Sequence, residues 1–299
     1  RNGFTVHYPG TQSAHIQGYQ RTMSPGLIFA VFAIAAIAMA VFYLFFYRRW
    51  RRRRELQRPF PPQWRALLAE RVPLYNRLPP HLKRDLEQRV QLFLSEKAFY
   101  GCDGFEVDDT VRLTITGHAC LLILARSYSD YDEIRSILVY PSAYRVTEPR
   151  HNGMVVDTAD EVRAGEASSM GQVVLSWDDC EKGALSPDSH HNVILHEFAH
   201  QLDYLDGSAD GAPPLDGAQA LHWQRTMSQA YAHLQETLSH RQTSWLDPYG
   251  ATEPAEFFAV LTETFFQQPA HLFAEQPQVY ETLCGFFRIN PLDYPDTAQ

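Results

Sequence analysis

The sequence predicts an α+β fold, a mostly helical domain with a small sheet, preceded by one transmembrane helix. Three observations predict it. Residues 26–47 form an uncharged run of 22 residues that ends in a cluster of arginines. Apolar side chains recur at helical spacing through much of residues 63–299. A few short β-prone runs, of which 171–177 is the clearest, precede the helical second half.

The uncharged run Gly26–Tyr47 is long enough to cross a bilayer, because a helix of this length measures about 33 Å. Six arginines follow it within residues 48–54, and two precede it. The positive-inside rule therefore places its C-terminal side in the cytoplasm. We expect a single-pass membrane protein whose folded domain is cytoplasmic. If the N-terminal segment is not part of the native protein, the expected location is the cytoplasm itself.

The composition predicts one acidic domain behind the membrane segment. The expected parts are a tail, a transmembrane helix, a basic and proline-containing linker and one folded domain, at 1–25, 26–47, 48–62 and 63–299. Residues 55–299 contain all 35 acidic residues and 18 of the 26 basic ones, a net charge of −17. An acidic domain repels polyanions, so we expect no direct binding of nucleic acid. The four cysteines are scattered without a C-x-x-C pair, which argues against a disulfide framework or a cysteine-based metal site.

Hydrophobic spacing locates the individual elements of the domain. Helices are expected at Trp64–Glu70, His81–Glu96, from Ser186 to about Tyr204, Ala218–Thr237, Pro254–Gln267 and Gln278–Arg288. Short strands are expected at Phe105–Val107, Arg112–Thr116, Ile137–Tyr140 and Gly171–Trp177. The apolar run Ala119–Leu124 fits either a helix or a buried strand.

His196-Glu197-Phe198-Ala199-His200 is the most informative motif in the chain. On a helix, His196 and His200 lie one turn apart on the same face, so both imidazoles can bind one Zn²⁺ ion. Glu197 lies between them and can accept a proton from an activated water. The segments around the motif agree with this interpretation. A strand precedes it, helix-start residues stand at 186–188, and a glycine follows it. This context favours a metal site over a chance match.

A catalytic zinc needs three protein ligands and one open position, and the third ligand has two candidates. In one class of zinc peptidases the motif continues x-x-G-x-x-H, and here Asp203 takes the glycine position and Asp206 the last one. Asp203 disfavours the turn that the glycine allows, so Asp206 is the second candidate. Glu256, at the start of a helix that Pro254 can initiate, would complete a two-histidine, one-glutamate set. From the residues alone, Glu256 has two about equally good interpretations. It is either a metal ligand or an acid that stabilises the N-terminus of its helix.

Two further acids and one strand complete the candidate site. Glu263 lies two helical turns beyond Glu256 and either orients a ligand or is a structural acid. Asp203 either accepts the ring N–H of a ligand histidine or faces solvent. The order of strand, motif helix and helical second half is typical of zincin peptidases, whose edge strand pairs with an extended substrate. The candidate for this substrate-binding edge strand is Gly171–Trp177, centred on Val173, Val174 and Leu175.

Two segments together resemble the Mlc titration factor A family of zinc metallopeptidases. They read H-E-F-A-H-Q-L-D at residues 196–203 and P-A-E-F-F-A-V-L-T-E-T-F-F at residues 254–266, with Tyr249 between them. The resemblance extends from about Trp64 to Tyr294. The family is similar in turn to the catalytic domain of anthrax lethal factor, a gluzincin. That domain also has an H-E-F-x-H helix and a tyrosine seven residues before an E-F-F-A.

The resemblance implies a zincin-like metallopeptidase that binds one Zn²⁺ ion and cleaves a peptide or protein substrate, aminopeptidase activity included. It implies that Glu256 is the third metal ligand beside the two histidines, ahead of Asp206 and Glu263. It further implies that Glu197 is the general base and that Tyr249 donates to the developing oxyanion. Without the resemblance, a packed loop tyrosine would be the preferred interpretation of Tyr249.

The resemblance also implies a regulatory partner, the glucose-responsive transcriptional repressor Mlc. The family's members are soluble and cytosolic, so the membrane helix departs from their pattern; in a bacterium the membrane concerned is the inner membrane. The alternative function is therefore a regulatory binding protein that sequesters a repressor or another protein partner on a peptidase fold. The intact motif and Glu197 favour retained chemistry, since a scaffold needs neither.

Overall fold

The computed structural model describes residues 24–152, 155–163, 165–168, 171–185 and 191–294. The chain divides into two units, Arg1–Arg53 and Arg54–Gln299. The described part of the first unit is helical and belongs to α1, Pro25–Leu56, which continues into the second. By length and composition α1 could cross a membrane. The helix expected over residues 26–47 is therefore present; its orientation and location stay predictions.

The second unit is α+β and mostly helical, as predicted. Its ten helices among the described residues are α2 Pro62–Arg71, α3 Pro73–Arg77, α4 Pro80–Glu96, α5 Asp109–Leu122, α6 Trp177–Leu185, α7 Val193–Asp203, α8 Gly217–Ser239, α9 Pro254–Gln267, α10 Pro269–Glu275 and α11 Pro277–Phe287. Its strands are β1 Ala98–Gly101, β2 Ser136–Tyr140, β3 Tyr144–Asn152, β4 Val155–Arg163, β5 Gly165–Ser168 and β6 Gln172–Ser176. Short 3₁₀ helices at Tyr204–Asp206 and Pro248–Ala251 flank the candidate site.

Most predicted helices are confirmed, and Pro254–Gln267 has the bounds that the sequence predicted. The strand predicted at Arg112–Thr116 is wrong, because these residues lie inside α5. Asp108 caps that helix by accepting the backbone N–H of Val111 at 2.9 Å. From residue 113 to residue 122 every side chain of α5 is buried, so burial on all sides outweighs the β-propensity of its branched residues. Ala119–Leu124 is therefore mainly helical, and Phe105–Val107 forms no strand.

A four-stranded sheet in the order β1-β2-β6-β5 lies beside the helices. β1, β2 and β6 are parallel, whereas β5 pairs antiparallel with β6. The edge position predicted for Gly171–Trp177 is wrong, because β6 has a neighbour on each side. The edge strand on that side of the sheet is β5. β3 and β4 pair with each other in a separate antiparallel ribbon.

Helix α7 passes through the core of the second unit. It packs against α5, α6, α9 and the strands β5 and β6. Its apolar side chains are almost fully buried: Val193, Ile194, Leu195, Phe198, Ala199 and Leu202. The ring of Phe198 contacts those of Phe93 and Tyr131, with centroids 5.9 and 5.4 Å apart. This packing fixes the axial rotation of α7 and hence the direction of its polar face.

The start and the end of α7 are set by polar and glycine residues. The side chain of Asn192 accepts the backbone N–H of Leu195 at 3.2 Å, so the helix begins at Val193. Ser186-Pro187-Asp188, where the start was expected, lies outside the described residues, but a helix that runs from there into the motif is wrong because His191 and Asn192 are not helical. Gly207 adopts φ +94 after the 3₁₀ turn that follows the helix, a conformation that favours glycine.

Candidate metal centre

Helices α7 and α9 bring three ligand atoms to one point. His196 Nε2 lies 2.8 Å from Glu256 Oε2 and 3.2 Å from His200 Nε2. His200 Nε2 lies 3.5 Å from the same glutamate oxygen. The two histidines come from successive turns of α7, and Glu256 comes from the first turn of α9. Among the described residues, this is the one group of three or more His, Cys, Asp or Glu side chains with metal-site spacing.

The donor set fits a tetrahedral metal ion. Zinc–nitrogen and zinc–oxygen bonds of about 2.0–2.1 Å place the ligand atoms of a tetrahedral ion about 3.3 Å apart. The three observed separations, 2.8, 3.2 and 3.5 Å, lie around this value. The side chains of His200 and Glu256 remain 13% and 20% exposed, so the group is open on one side. Two imidazole nitrogens and one carboxylate with an open fourth position are the donors of a catalytic zinc site.

The local electrostatics also favour a cation at this point. His196 lies between two carboxylates, with Nδ1 2.7 Å from Glu263 and Nε2 2.8 Å from Glu256. Burial alone would lower the pKa of His196, but the hydrogen bonds with Glu256 and Glu263 outweigh it and raise that pKa well above its usual value. Burial likewise opposes ionisation of Glu256, yet its hydrogen bonds with the two histidines hold its pKa well below the usual value. A positive charge is therefore stabilised where the three ligand atoms meet.

Glu197 lies on the buried face of α7 between the two histidines. The residue is 5% exposed. Burial raises its pKa to about 6, with Glu256 and Glu263 adding to this and the two histidines opposing it. A carboxylate with this pKa is mostly ionised at pH 7 and can both accept and return a proton, which is what a general base requires.

Tyr249 borders the site from the 3₁₀ helix Pro248–Ala251. Its ring centroid lies 6.0 Å from that of His196, and the residue is 52% exposed. The carboxylate of Asp247 accepts the backbone N–H of Tyr249 at 2.9 Å, and the hydroxyl of Tyr231 donates to the carbonyl of Ala251 at 3.0 Å. Hydrogen bonds thus hold both ends of this short helix, and they keep the exposed ring of Tyr249 beside that of His196.

Glu263 contacts a histidine of the motif, whereas Asp203 does not fill that role. Fully buried Glu263 lies beside His196 Nδ1 and also accepts the backbone N–H of Asn192. Asp203 is equally buried, but its Oδ2 accepts the backbone N–H of Gly211 at 2.8 Å. Burial raises the pKa of Asp203 to about 6. The hydrogen bond between Asp203 and Gly211 therefore fixes the loop after α7 and does not orient the ring of a ligand histidine.

The loop that Asp203 holds reaches the start of α9. Gly211 adopts φ +75, and a Cβ atom there would lie 2.3 Å from the carbonyl oxygen of Pro254. The carbonyl of Gly211 also accepts the indole N–H of Trp223 at 2.9 Å. This close approach joins the end of α7 to the turn of α9 that carries Glu256.

The other predicted residues lie away from the three ligand atoms. Asp206 is exposed, and its Oδ1 accepts from the backbone and the hydroxyl of Ser208. Val173 and Leu175 are fully buried within β6, whose neighbours on both sides prevent it from pairing with a substrate. Val174 is half-buried on the same internal strand.

His191 and Asn192 are the residues at the site that sequence reasoning missed. Nδ1 of His191 lies 3.4 Å from Glu263 Oε2, and its ring centroid is 6.3 Å from that of His196. The contact with Glu263 raises the pKa of His191. A histidine and an asparagine just before the motif were a detectable signal, since asparagine is a preferred N-cap.

Comparison with known proteins identifies the family of this metal centre. A family model described as the glucose-regulated metallo-peptidase M90 matches residues 47–288. The chain belongs to this metallopeptidase family. An uncharacterised protein of Synechocystis sp. is 42% identical over 248 residues, covering 81% of this chain and 90% of its own. The Mlc titration factor A of Escherichia fergusonii is 31% identical over 248 residues, which are 81% of this chain and 91% of that protein. The Mlc titration factor A of Escherichia coli strain 55989 is 30% identical over 234 residues, which are 77% of this chain and 86% of that protein.

Membership of the M90 family confirms the resemblance that the two motif segments indicated. It also makes a metal the expected occupant of the group formed by His196, His200 and Glu256. The match covers the whole of α2 to α11 and therefore every element that contributes to the site.

Proposed function

We propose that this protein is a zinc-dependent peptidase of the gluzincin type on a zincin-like domain. The observation that carries the proposal is the convergence of His196, His200 and Glu256 within 3.5 Å, beside the buried carboxylate of Glu197. The substrate is a peptide or protein, and removal of N-terminal residues is among the activities to be screened. One Zn²⁺ ion is the proposed cofactor.

The residues of the site divide the chemistry between them. A bound Zn²⁺ ion lowers the pKa of water to about 7 and polarises a carbonyl group. Glu197 accepts a proton from the attacking water and then passes it to the leaving amine, for which its pKa of about 6 is suited. The hydroxyl of Tyr249 donates a hydrogen bond to the substrate carbonyl oxygen as negative charge develops there. Glu263 accepts the N–H of His196 Nδ1 and so directs Nε2 toward the other two ligand atoms.

Substrate pairing is assigned to the edge strand β5 instead of β6. β5 packs against α7, and among the described residues β6 is the one strand that pairs with it. Its other edge offers backbone N–H and C=O groups that an extended peptide can pair with. The role first given to Val173, Val174 and Leu175 passes to residues 165–168.

The test compares wild type with Glu197→Gln, using zinc content and peptide cleavage as separate readouts. Glu197→Gln keeps the shape and the ligands but cannot accept a proton. We expect one zinc per chain in both proteins and a loss of cleavage by orders of magnitude in the variant. Full cleavage by the variant, or no zinc in wild type, would contradict the proposal.

A second candidate function follows from the names of two relatives. The name Mlc titration factor A says that this relative titrates Mlc, the repressor that the resemblance implies as a partner, and this chain covers about nine tenths of that relative. A membrane-anchored binding protein that sequesters a repressor or another partner is the alternative. Pull-down with zinc-loaded and chelated protein separates the two functions. Partner binding that is indifferent to zinc, together with no cleavage of any peptide, would favour the second.

A further inference from the structure

The carboxylate of Glu263 is the centre of a buried cluster that lies behind the three ligand atoms. Its side chain is fully buried, although it carries a charge in the ionised state. Three groups approach it: His196 Nδ1 at 2.7 Å, the backbone N–H of Asn192, and His191 Nδ1 at 3.4 Å. A buried carboxylate is stable only when its oxygens are paired, so these contacts keep Glu263 ionised and in place.

The two oxygens of Glu263 have different tasks. Oε1 faces the ring of His196, and Oε2 faces Asn192 and His191. The contacts at Oε2 therefore determine how the carboxylate is rotated, and the rotation determines where Oε1 meets the ring. A hydrogen bond from Nδ1–H to Oε1 selects the tautomer of His196 that presents the lone pair of Nε2 to a metal.

We propose that His191 is a positioning residue of the metal centre. Its ring holds Oε2 of Glu263, and through that carboxylate it sets the orientation and tautomer of His196. The inference rests on the proposed zinc site and adds a residue outside the H-E-x-x-H motif. It requires no contact between His191 and the substrate.

His191 is well suited to a test by substitution. Its side chain is 50% exposed, so its replacement leaves little buried void. Asn192 is unsuitable, because its contact with Glu263 comes from the backbone and its side chain caps α7. An effect at His191 can therefore be separated from loss of the fold.

The experiment measures the zinc dissociation constant of the full chain by competition with a chromophoric chelator. His191→Leu removes the ring nitrogens, whereas His191→Gln retains an N–H₂ donor. We expect about 10–100-fold weaker zinc binding for His191→Leu and recovery to within about threefold of wild type for His191→Gln. The absorption spectrum of the Co²⁺-loaded protein should shift in His191→Leu and return with His191→Gln. His233→Leu, at an exposed histidine of α8, is the control and should bind zinc like wild type.

Two outcomes would overturn the inference: unchanged zinc affinity in His191→Leu, or equal weakening in His191→Leu and His191→Gln. Unfolding midpoints of the zinc-free proteins, expected to agree, show whether any loss comes from the fold. If wild type itself bound no zinc, the proposed function would fail, and that result is distinguishable from failure at His191.

Discussion

At the scale of single residues, the site is organised around the ring of His196. One nitrogen faces Glu256, the other faces Glu263, and Glu197 follows in the chain. Three carboxylates near two imidazoles give a local excess of negative charge that a divalent cation would neutralise. The sequence identified His196, Glu197 and His200 by their spacing. It left Glu256 and Asp206 as rivals because spacing along the chain does not show which distant acid approaches a helix.

The choice between those two acids gives a direct prediction. Glu256→Gln should weaken zinc binding by at least about tenfold, because it replaces an anionic ligand by a neutral amide. Asp206→Asn is the matched control and should leave the zinc affinity within about twofold of wild type, since Asp206 is exposed and hydrogen-bonded to Ser208. Isothermal titration of both variants checks this. Weaker binding in Asp206→Asn alone would reverse the assignment.

His118 predicts a pH dependence of stability that is independent of the metal centre. It is buried in α5, where Nδ1–H donates to the carbonyl of Thr114 at 2.9 Å. Burial lowers the pKa of His118 to about 4, from an ordinary value of 6.5. Because the folded-state pKa is depressed, the unfolded chain takes up the proton first as pH falls below 6.5. The stability that neutral His118 contributes is present above pH 6.5 and lost as pH falls toward 4.

The measurement compares wild type with His118→Gln by urea unfolding at pH 7.5 and pH 4, both without zinc. Wild type should lose about 3 kcal/mol more than the variant between these pH values, from about 1.4 kcal/mol for each pKa unit. Parallel loss of unfolding free energy in the two proteins would show that His118 does not titrate between them. The carboxylates contribute equally to both and cancel in the comparison.

At the scale of elements, the geometry of the site depends on how α7 and α9 are joined. Asp203 at the end of α7 fixes the backbone of Gly211, which lies so close to the start of α9 that an added Cβ would clash with the carbonyl of Pro254. The loop that follows α7 thus approaches the turn of α9 that carries Glu256. The sequence predicted both helices, although α7 begins at Val193 and not at Ser186. It left Asp203 either orienting a ligand or facing solvent, because a buried loop contact leaves no periodic pattern.

Gly211→Ala should therefore lower the free energy of unfolding more than Gly207→Ala does. Both glycines have positive φ, and an alanine at either costs about 1–2 kcal/mol in backbone conformation. At Gly207 an added Cβ meets no atom within 4 Å, whereas at Gly211 it meets the backbone of Pro254 at 2.3 Å. We expect an additional loss of about 1–3 kcal/mol for Gly211→Ala, with weaker zinc binding. Equal unfolding free energies for the two variants would contradict the close approach.

At the scale of the whole molecule, the chain combines an apolar helix with an acidic α+β domain. α1 runs from Pro25 to Leu56, and residues 54–299 form a unit of their own. A bacterial inner-membrane location with the domain in the cytoplasm stays a prediction, which rests on the arginines that follow the apolar stretch.

The location can be tested with the full chain and with a chain that begins at Arg54. The full chain should stay in the membrane fraction after a carbonate wash, and the shorter chain should be soluble and bind zinc equally well. Ile34→Asp with Ile37→Asp should release the full chain, because each acid at the centre of a span costs about 3 kcal/mol. Protease added to spheroplasts should leave the domain intact. Retention of the Asp variant in the membrane would contradict the span.

The sequence by itself determined the local features of this protein. The apolar run of α1, the face of α7 that carries His196 and His200, and the bounds of α9 follow from periodicity and from caps within a few residues. The tertiary structure alone decided the long-range features. It made Arg112–Thr116 a helix through burial, placed β6 inside the sheet, and brought Glu256 and Glu263 to a histidine 60 and 67 residues away. Such contacts depend on how helices pack in three dimensions, and no spacing within one segment records them.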